Sequence, residues 1–207
     1  MGLIKISELA IDEVEAEPET VAAPPVLVTK SKGLALRAPT TKVLDGILPA
    51  LPPDHDYDLL SKGRWSLHQL VSHIIGLIGP CDCSLTSYGI STKPIQCILD
   101  LLRSKQILTI TALFDKRIRL QCPDAFQLLL NLTDDERVRI GLTMIHAKVV
   151  VLSNADHQVT IRTSANLNVN PRIEIYDIST HAGRAQFHQQ WIADAYTEAK
   201  PFNRHDS

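Results

Sequence analysis

The sequence has no apolar run approaching the roughly 18 residues that a membrane-spanning helix needs, so no membrane association is expected. It also lacks an excess of either charge. Lys and Arg number 21 against 23 Asp and Glu, leaving a formal net charge of −2 and a pI near 6.4. That balance excludes a global positive field announcing a nucleic-acid partner, while a local basic groove stays open. Zinc-type cysteine spacing is missing as well, because Cys81-x-Cys83 is followed only by the isolated Cys97 and Cys122. The start MGLIKISELAIDEVEAE turns acidic before a signal-like apolar stretch forms, so a cytoplasmic protein is expected, a setting that does not favour disulfides. Two apart in a predicted strand, Cys81 and Cys83 point to one face and read as small core residues. No internal repeat is visible.

What is present is the composition of a globular protein: 207 residues, 44% hydrophobic and 21% charged, enough for one domain with a sizeable core and a tail. Residues 8 to 19 hold six acidic side chains and no basic one, and a Pro-Pro segment follows, so residues 1 to 40 read as a flexible acidic arm. Residues 41 to 64 read as a turn-rich lead-in through Pro49, Pro52 and Pro53. Its Asp54-His-Asp-Tyr-Asp58 stretch is read as a solvated loop in preference to a cation chelate.

The folded domain is expected over residues 65 to 200. Ser66 and Gln69 form an S-x-x-Q capping box, and Leu67, Leu70, Val71, Ile74, Ile75 and Ile78 recur at helical spacing until Gly79-Pro80. A strand near 81 to 88, a helix near 94 to 104 and a strand near 106 to 114 then make a β-α-β unit. Pro123 opens another helix, and strands are expected near 137 to 143, 145 to 152, 159 to 165 and 173 to 178. In the closing helix, near 181 to 196, Phe187, Trp191, Ile192, Ala195 and Tyr196 define the apolar face. The fold class is α/β or α+β, a mixed sheet flanked by helices. His68 and His73, five apart on the first helix, read as surface or boundary residues.

The segment most charged with chemistry is IHAKVVVLSNADHQVTIRTSANLNVNPRIEIYDI, residues 145 to 178. On a strand, His146 and Lys148 leave the same face, setting an imidazole beside a cation. The polar turn through residues 153 to 158 lets the chain double back, and Ser164 and Asn166 again share one face. Paired as a hairpin, the four groups form a receptor for a tetrahedral phosphate and its more highly charged transition state, with no need of a metal or cofactor. Asp115, Lys116, Arg117, Arg162 and Arg172 would line a phosphate channel or would simply be solvated surface charge; of these Arg172, beside the motif, is the candidate substrate contact.

This pattern, His146-Ala-Lys148 and Thr163-Ser164-Ala165-Asn166, resembles the H-x-K and G-S-x-N motif of the phospholipase D superfamily, and the flanking elements extend the resemblance over about residues 65 to 196. It looks most like single-motif members carried by phages and other mobile elements. The resemblance implies that His146 is a covalent nucleophile, that Lys148 and Asn166 hold phosphate oxygens with Ser164 assisting, and that Glu174 hydrogen-bonds the histidine and orients its ring. Two positions depart from the pattern. Ser153 stands where the motif has aspartate, with Asp156 nearby but out of register, and Thr163 replaces the usual glycine. The family's aspartate is mainly structural, so local rigidity is what that change touches.

One motif supplies one histidine where the reaction uses two, so a homodimer sharing its site is implied. The expected function is a metal-independent phosphodiesterase acting through a phosphohistidine, most readily a nuclease on DNA or RNA. The alternatives are a non-catalytic module of this fold that binds nucleic acid or protein, and, further off, a lipid phosphodiesterase, for which the sequence offers no amphipathic anchor.

Overall fold

The computed structural model describes residues 25–29, 34–37, 43–133 and 135–201. Most of the expected acidic arm lies outside them, including residues 1–24. Ten strands form one sheet: β1 (Pro25–Thr29), β2 (Leu34–Arg37), β3 (Asp56–Leu60), β4 (Cys81–Ser87), β5 (Ile107–Asp115), β6 (Val138–Thr143), β7 (Val149–Ser153), β8 (Gln158–Thr163), β9 (Ile175–Ser179) and β10 (Lys200–Pro201). Their order is β10-β6-β5-β4-β7-β8-β9-β3-β1-β2. The helices are α1 (Val43–Ile47), α2 (Leu67–Ile78), α3 (Thr92–Arg103), α4 (Ile118–Gln121), α5 (Pro123–Leu130) and α6 (Ala182–Glu198). None of the described helices is long and apolar enough to cross a membrane.

Strands β4, β5 and β6 run parallel, joined by crossovers through α3 and through α4 and α5, whereas β7 lies antiparallel to β4 and opens an antiparallel run through β8 and β9 to β3. The mixed α/β sheet is as the sequence leads one to expect. The direction of the strands reverses between β4 and β7. That reversal places the last residues of β4, β5, β6 and β8 and the first residues of β7 and β9 at one end of the sheet.

Alternation along β7 shows how both faces are filled. Val150 and Leu152 enter the large core under α2, α3 and α5, while Val149 and Val151 face α6 with Ala185. Cys81 and Cys83 are buried in the large core, and burial pushes the Cys81 thiol up to about 11 and Cys83 higher still, so neither is a thiolate near neutral pH. The capping box forms, with the Ser66 N–H donating to Gln69 Oε1 at 2.9 Å. Burying each of Leu70, Ile74 and Ile75 on α2 stabilises the fold by roughly 2 kcal/mol.

Four expectations require correction. Asp54–Asp58 is not a solvated loop: from Asp56 it is the strand β3, whose Tyr57 and Leu59 are buried while Asp56 takes Arg184 at 3.1 Å. The sheet therefore reaches into the segment read as lead-in. His68 is buried, because α2 is covered along two sides and its apolar face is wide; burial lowers its pKa. Phe187 is 65% exposed, and α6 instead buries Ala185, His188 and Ile192, with Trp191 and Tyr196 partly covered. Finally, β7 begins only at Val149, so His146 and Lys148 precede the strand, and Ser164 follows the end of β8.

Candidate active site

The segment from β6 to β7 crosses the ends of β5 and β4, and His146 and Lys148 ride on it. Thr86, near the end of β4, fixes the crossing from below: its hydroxyl donates to the Ala147 carbonyl at 3.1 Å and accepts from the Val149 N–H at 3.1 Å. The Thr163 N–H donates to the Lys148 carbonyl at 3.1 Å, continuing the β7–β8 ladder to the site. His146 is exposed and Lys148 half-buried. The Lys148 Nζ reaches the His146 carbonyl at 2.8 Å and stands almost equally far from both ring nitrogens, 3.3 and 3.4 Å. It is therefore beside the imidazole as a whole and not committed to one nitrogen. Burial lowers the Lys148 pKa, opposed by the Glu174 carboxylate.

Asn166 is brought in from the other side. Leu167 bridges in parallel to Ile90, and its N–H donates to Ser87 Oγ at 2.9 Å and to the Gly89 carbonyl at 3.2 Å. A methyl group on Gly89 would lie 3.5 Å from the Asn166 amide, so the amide rests against bare backbone. The Asn166 Oδ1 is buried without a hydrogen-bond partner among the described residues.

Glu174 is buried but does not meet His146. Ser164 Oγ donates to one carboxylate oxygen and Asn170 Nδ2 to the other, both through short contacts. Among the described residues no hydrogen bond joins Glu174 to His146, which differs from what the resemblance implies. Glu174 orders the strand ends instead. The Ser61 N–H donates to its carbonyl at 3.0 Å, and Gly63, at a φ of 72°, lets the Pro171 carbonyl approach to where a Cβ would stand 2.4 Å away. Arg172 is exposed next to this clamp, its N–H donating to Asn170 Oδ1 at 3.0 Å.

Arg162 is not at the site. It pairs with Asp177, which also takes Arg184 at 3.4 Å. The two motif departures have local explanations. Ser153 Oγ accepts from Gln189 Nε2 at 2.6 Å, tying β7 to α6. Thr163 Oγ1 donates to the Ile175 carbonyl at 2.7 Å and accepts from the Ala165 N–H at 2.9 Å, bracing the turn on which Ser164 sits.

Sequence reasoning missed Tyr88. Its ring centroid lies 4.7 Å from that of His146, with Arg117 at 4.5 Å and Lys148 Nζ at 5.6 Å. Asp115, 1% exposed, accepts Arg117 through Nε at 2.7 Å and Nη2 at 3.0 Å, and takes the Ile145 N–H at 3.3 Å. The only signal in the sequence was an aromatic followed by glycine at a strand end. The Arg117 guanidinium holds the Asp115 carboxyl down to about 2, overcoming the opposing effect of burial. A carboxyl depressed in the folded state stabilises the fold in full above its unfolded pKa of about 3.9, and that contribution is lost as pH falls through about 2. With Arg117 51% exposed, Asp115→Asn is expected to cost only ~1–2 kcal/mol near neutral pH. Urea unfolding should show the wild type losing that margin between about pH 4 and pH 2, with a flatter acid limb in the variant.

No family model matches the chain and no curated protein matches it in sequence. Solved structures match it in fold. Nuc, a phospholipase D family member from Salmonella typhimurium, aligns with a TM-score of 0.54 at 10% identity, covering 72% of this chain and 99% of that one. NucT from Helicobacter pylori aligns with a TM-score of 0.54 at 12% identity, over 71% of this chain and 99% of its own. TrmBL2, an archaeal chromatin protein with a novel mode of DNA binding, aligns with a TM-score of 0.53 at 7% identity, over 78% of this chain and 59% of its own. With the mixed sheet and flanking helices, these likenesses establish that the chain has the fold of the phospholipase D-like superfamily.

Proposed function

We propose that the protein is a metal-independent phosphodiesterase, a nuclease in the first instance, that works through a phosphohistidine on His146 in a site shared by two copies of the chain. The observation that supports the reading is the contact of His146 with Lys148 at the end of the sheet where Leu167, the residue after Asn166, is bonded to Ser87 and Gly89 beyond β4. An imidazole nitrogen attacks phosphorus, the P–O bond to the leaving group breaks, and the leaving oxygen takes a proton from the partner's His146. Water then attacks phosphorus as its proton passes to that same partner imidazole, and the P–N bond breaks to return the first His146. Lys148 and Asn166 hold the phosphate oxygens as charge builds on them, Ser164 assists from beside them, and Arg172 is the outer contact.

The shared site is supported by what surrounds it. Met144, Val169, Ile173 and Ile175 are large, apolar and exposed on the segments that carry the site, and a second copy on a two-fold axis would cover them. Nucleic acid is favoured among phosphodiesters by the likeness to TrmBL2, whose described property is DNA binding. Origin in a mobile element and a cytoplasmic setting belong to the same reading.

Binding without turnover is the second reading, favoured because both Glu174 oxygens are taken by Ser164 and Asn170, and no carboxylate bonds His146 among the described residues. One experiment separates the two. Single-stranded and duplex DNA and RNA are incubated with the protein in excess EDTA, and the protein is quenched in alkali and probed for phosphohistidine. Cleavage undiminished by EDTA, with phosphate trapped on His146, is the expected result. Binding with no cleavage selects the second reading, and cleavage abolished by EDTA and restored by magnesium overturns the first.

A further inference from the structure

We infer that Tyr88 is a positioning residue for His146, held by Asp115 through Arg117, and that this chain of contacts fills the orienting role that Glu174 leaves empty. The inference rests on the reading of His146 as the nucleophile. An exposed imidazole has a broad second torsion, and Lys148, almost equally far from both ring nitrogens, does not select one direction for it. Nucleophilic attack needs one direction, since a misplaced reacting atom loses much of the advantage of being bound at all.

Three segments converge on the ring. From the end of β4 comes Tyr88, 4.7 Å away and tilted by 58°. From beyond β5 comes Arg117, 4.5 Å from the tyrosine centroid, and from the histidine's own segment comes Lys148 at 5.6 Å. A tyrosine face attracts cations, so Arg117 and Lys148 both hold the aromatic ring in place. Glu174 acts on Lys148, and its oxygens are already bonded to Ser164 and Asn170.

The anchor is Asp115. Its carboxylate forks onto Arg117 and also accepts the N–H of Ile145, the residue immediately before His146. One buried group thereby fixes the backbone leading into His146 and, through Arg117 and Tyr88, the wall beside its ring. Such a support holds the ring by packing, whereas a carboxylate would hold one nitrogen.

The test compares Tyr88→Leu with Tyr88→Phe in two measurements. In proton–carbon correlation spectra the His146 Cε1–H peak, identified by its loss in His146→Asn, carries the ring-current shift of Tyr88. It should move in Tyr88→Leu and stay near its place in Tyr88→Phe, with Arg117→Leu moving it part of the way. On bis(p-nitrophenyl) phosphate, Tyr88→Leu should lose about tenfold in kcat at little change in KM, and Tyr88→Phe should recover most of that loss. A histidine peak equally displaced in both variants, or unmoved in both, overturns the positioning role. So does a rise in KM at constant kcat, which would make Tyr88 a substrate contact. If the wild type turns over no phosphodiester, the phosphodiesterase reading fails and the peak alone decides the positioning role.

Discussion

His146→Asn is expected to abolish phosphodiester turnover, by about four orders of magnitude or more, while substrate binding changes little. The imidazole is the nucleophile of the proposed reaction, and asparagine offers no nitrogen that can attack phosphorus and then release it. Its amide nevertheless keeps a polar group of similar reach beside Lys148, which stands 3.3 Å from the wild-type ring nitrogen. Gel-shift affinity and single-turnover cleavage on the same oligonucleotide check both halves of the expectation. In the proposed reaction one copy of His146 is the nucleophile and the other the acid. Mixed dimers follow from this. A heterodimer of His146→Asn with wild type should be nearly as inactive as the doubly substituted dimer, since either vacant role stops the cycle. Half the wild-type rate per dimer would show each protomer working alone and would end the shared-site reading.

Lys148→Ala should lower kcat/KM by roughly a hundred- to a thousandfold, the range for removing one preorganised charge or donor from a transition state. Unlike the histidine variant, it should also weaken binding, because a fixed ammonium attracts the phosphate before reaction as well as during it. Its half-buried position sharpens the effect. A charge with less water around it acts more strongly on a neighbouring phosphate, and the lowered pKa of Lys148 records that loss of water. Equilibrium binding and kinetics measured on the same substrate separate the two contributions. Full activity in Lys148→Ala would remove it from the site.

Much of the architecture was legible because its elements are strongly periodic. The α2 spacing, the β-α-β unit through β4, α3 and β5, and the run of strands through β6 to β9 lie within a few residues of expectation. β3 was hidden by Pro52 and Pro53 and by the acids of DYDLL, although Tyr57 and Leu59 alternate inward as a half-buried strand requires. The motif residues were found by their two-apart spacing, yet the spacing works differently from what a strand would give. Each pair sits just off a strand end, His146 exposed and Lys148 half-buried, and the turns are held by Thr86, Thr163 and Leu167. Tyr88 was not legible as part of the site, and Asp115 and Arg117 were read only as lining a phosphate channel or as surface charge. Their proximity to His146 comes from the crossing of three separate segments, which no local pattern encodes.

The pairing of β3 with β9 bears on how the chain acquires its site. That pairing joins partners such as His55 and Thr180, 125 positions apart, and the same neighbourhood clamps Glu174 through Ser61. Contacts of such long range are the slowest to form, because closing the loop costs entropy before any contact rewards it. During synthesis β4, α3 and β5 can pack soon after they emerge, but β3 must wait for β9 with no partner on that side. The candidate site is therefore among the last parts of the molecule to be completed, and a ribosome-bound chain that has not yet released residue 179 carries His146 and Lys148 without the clamp of Ser61 on Glu174.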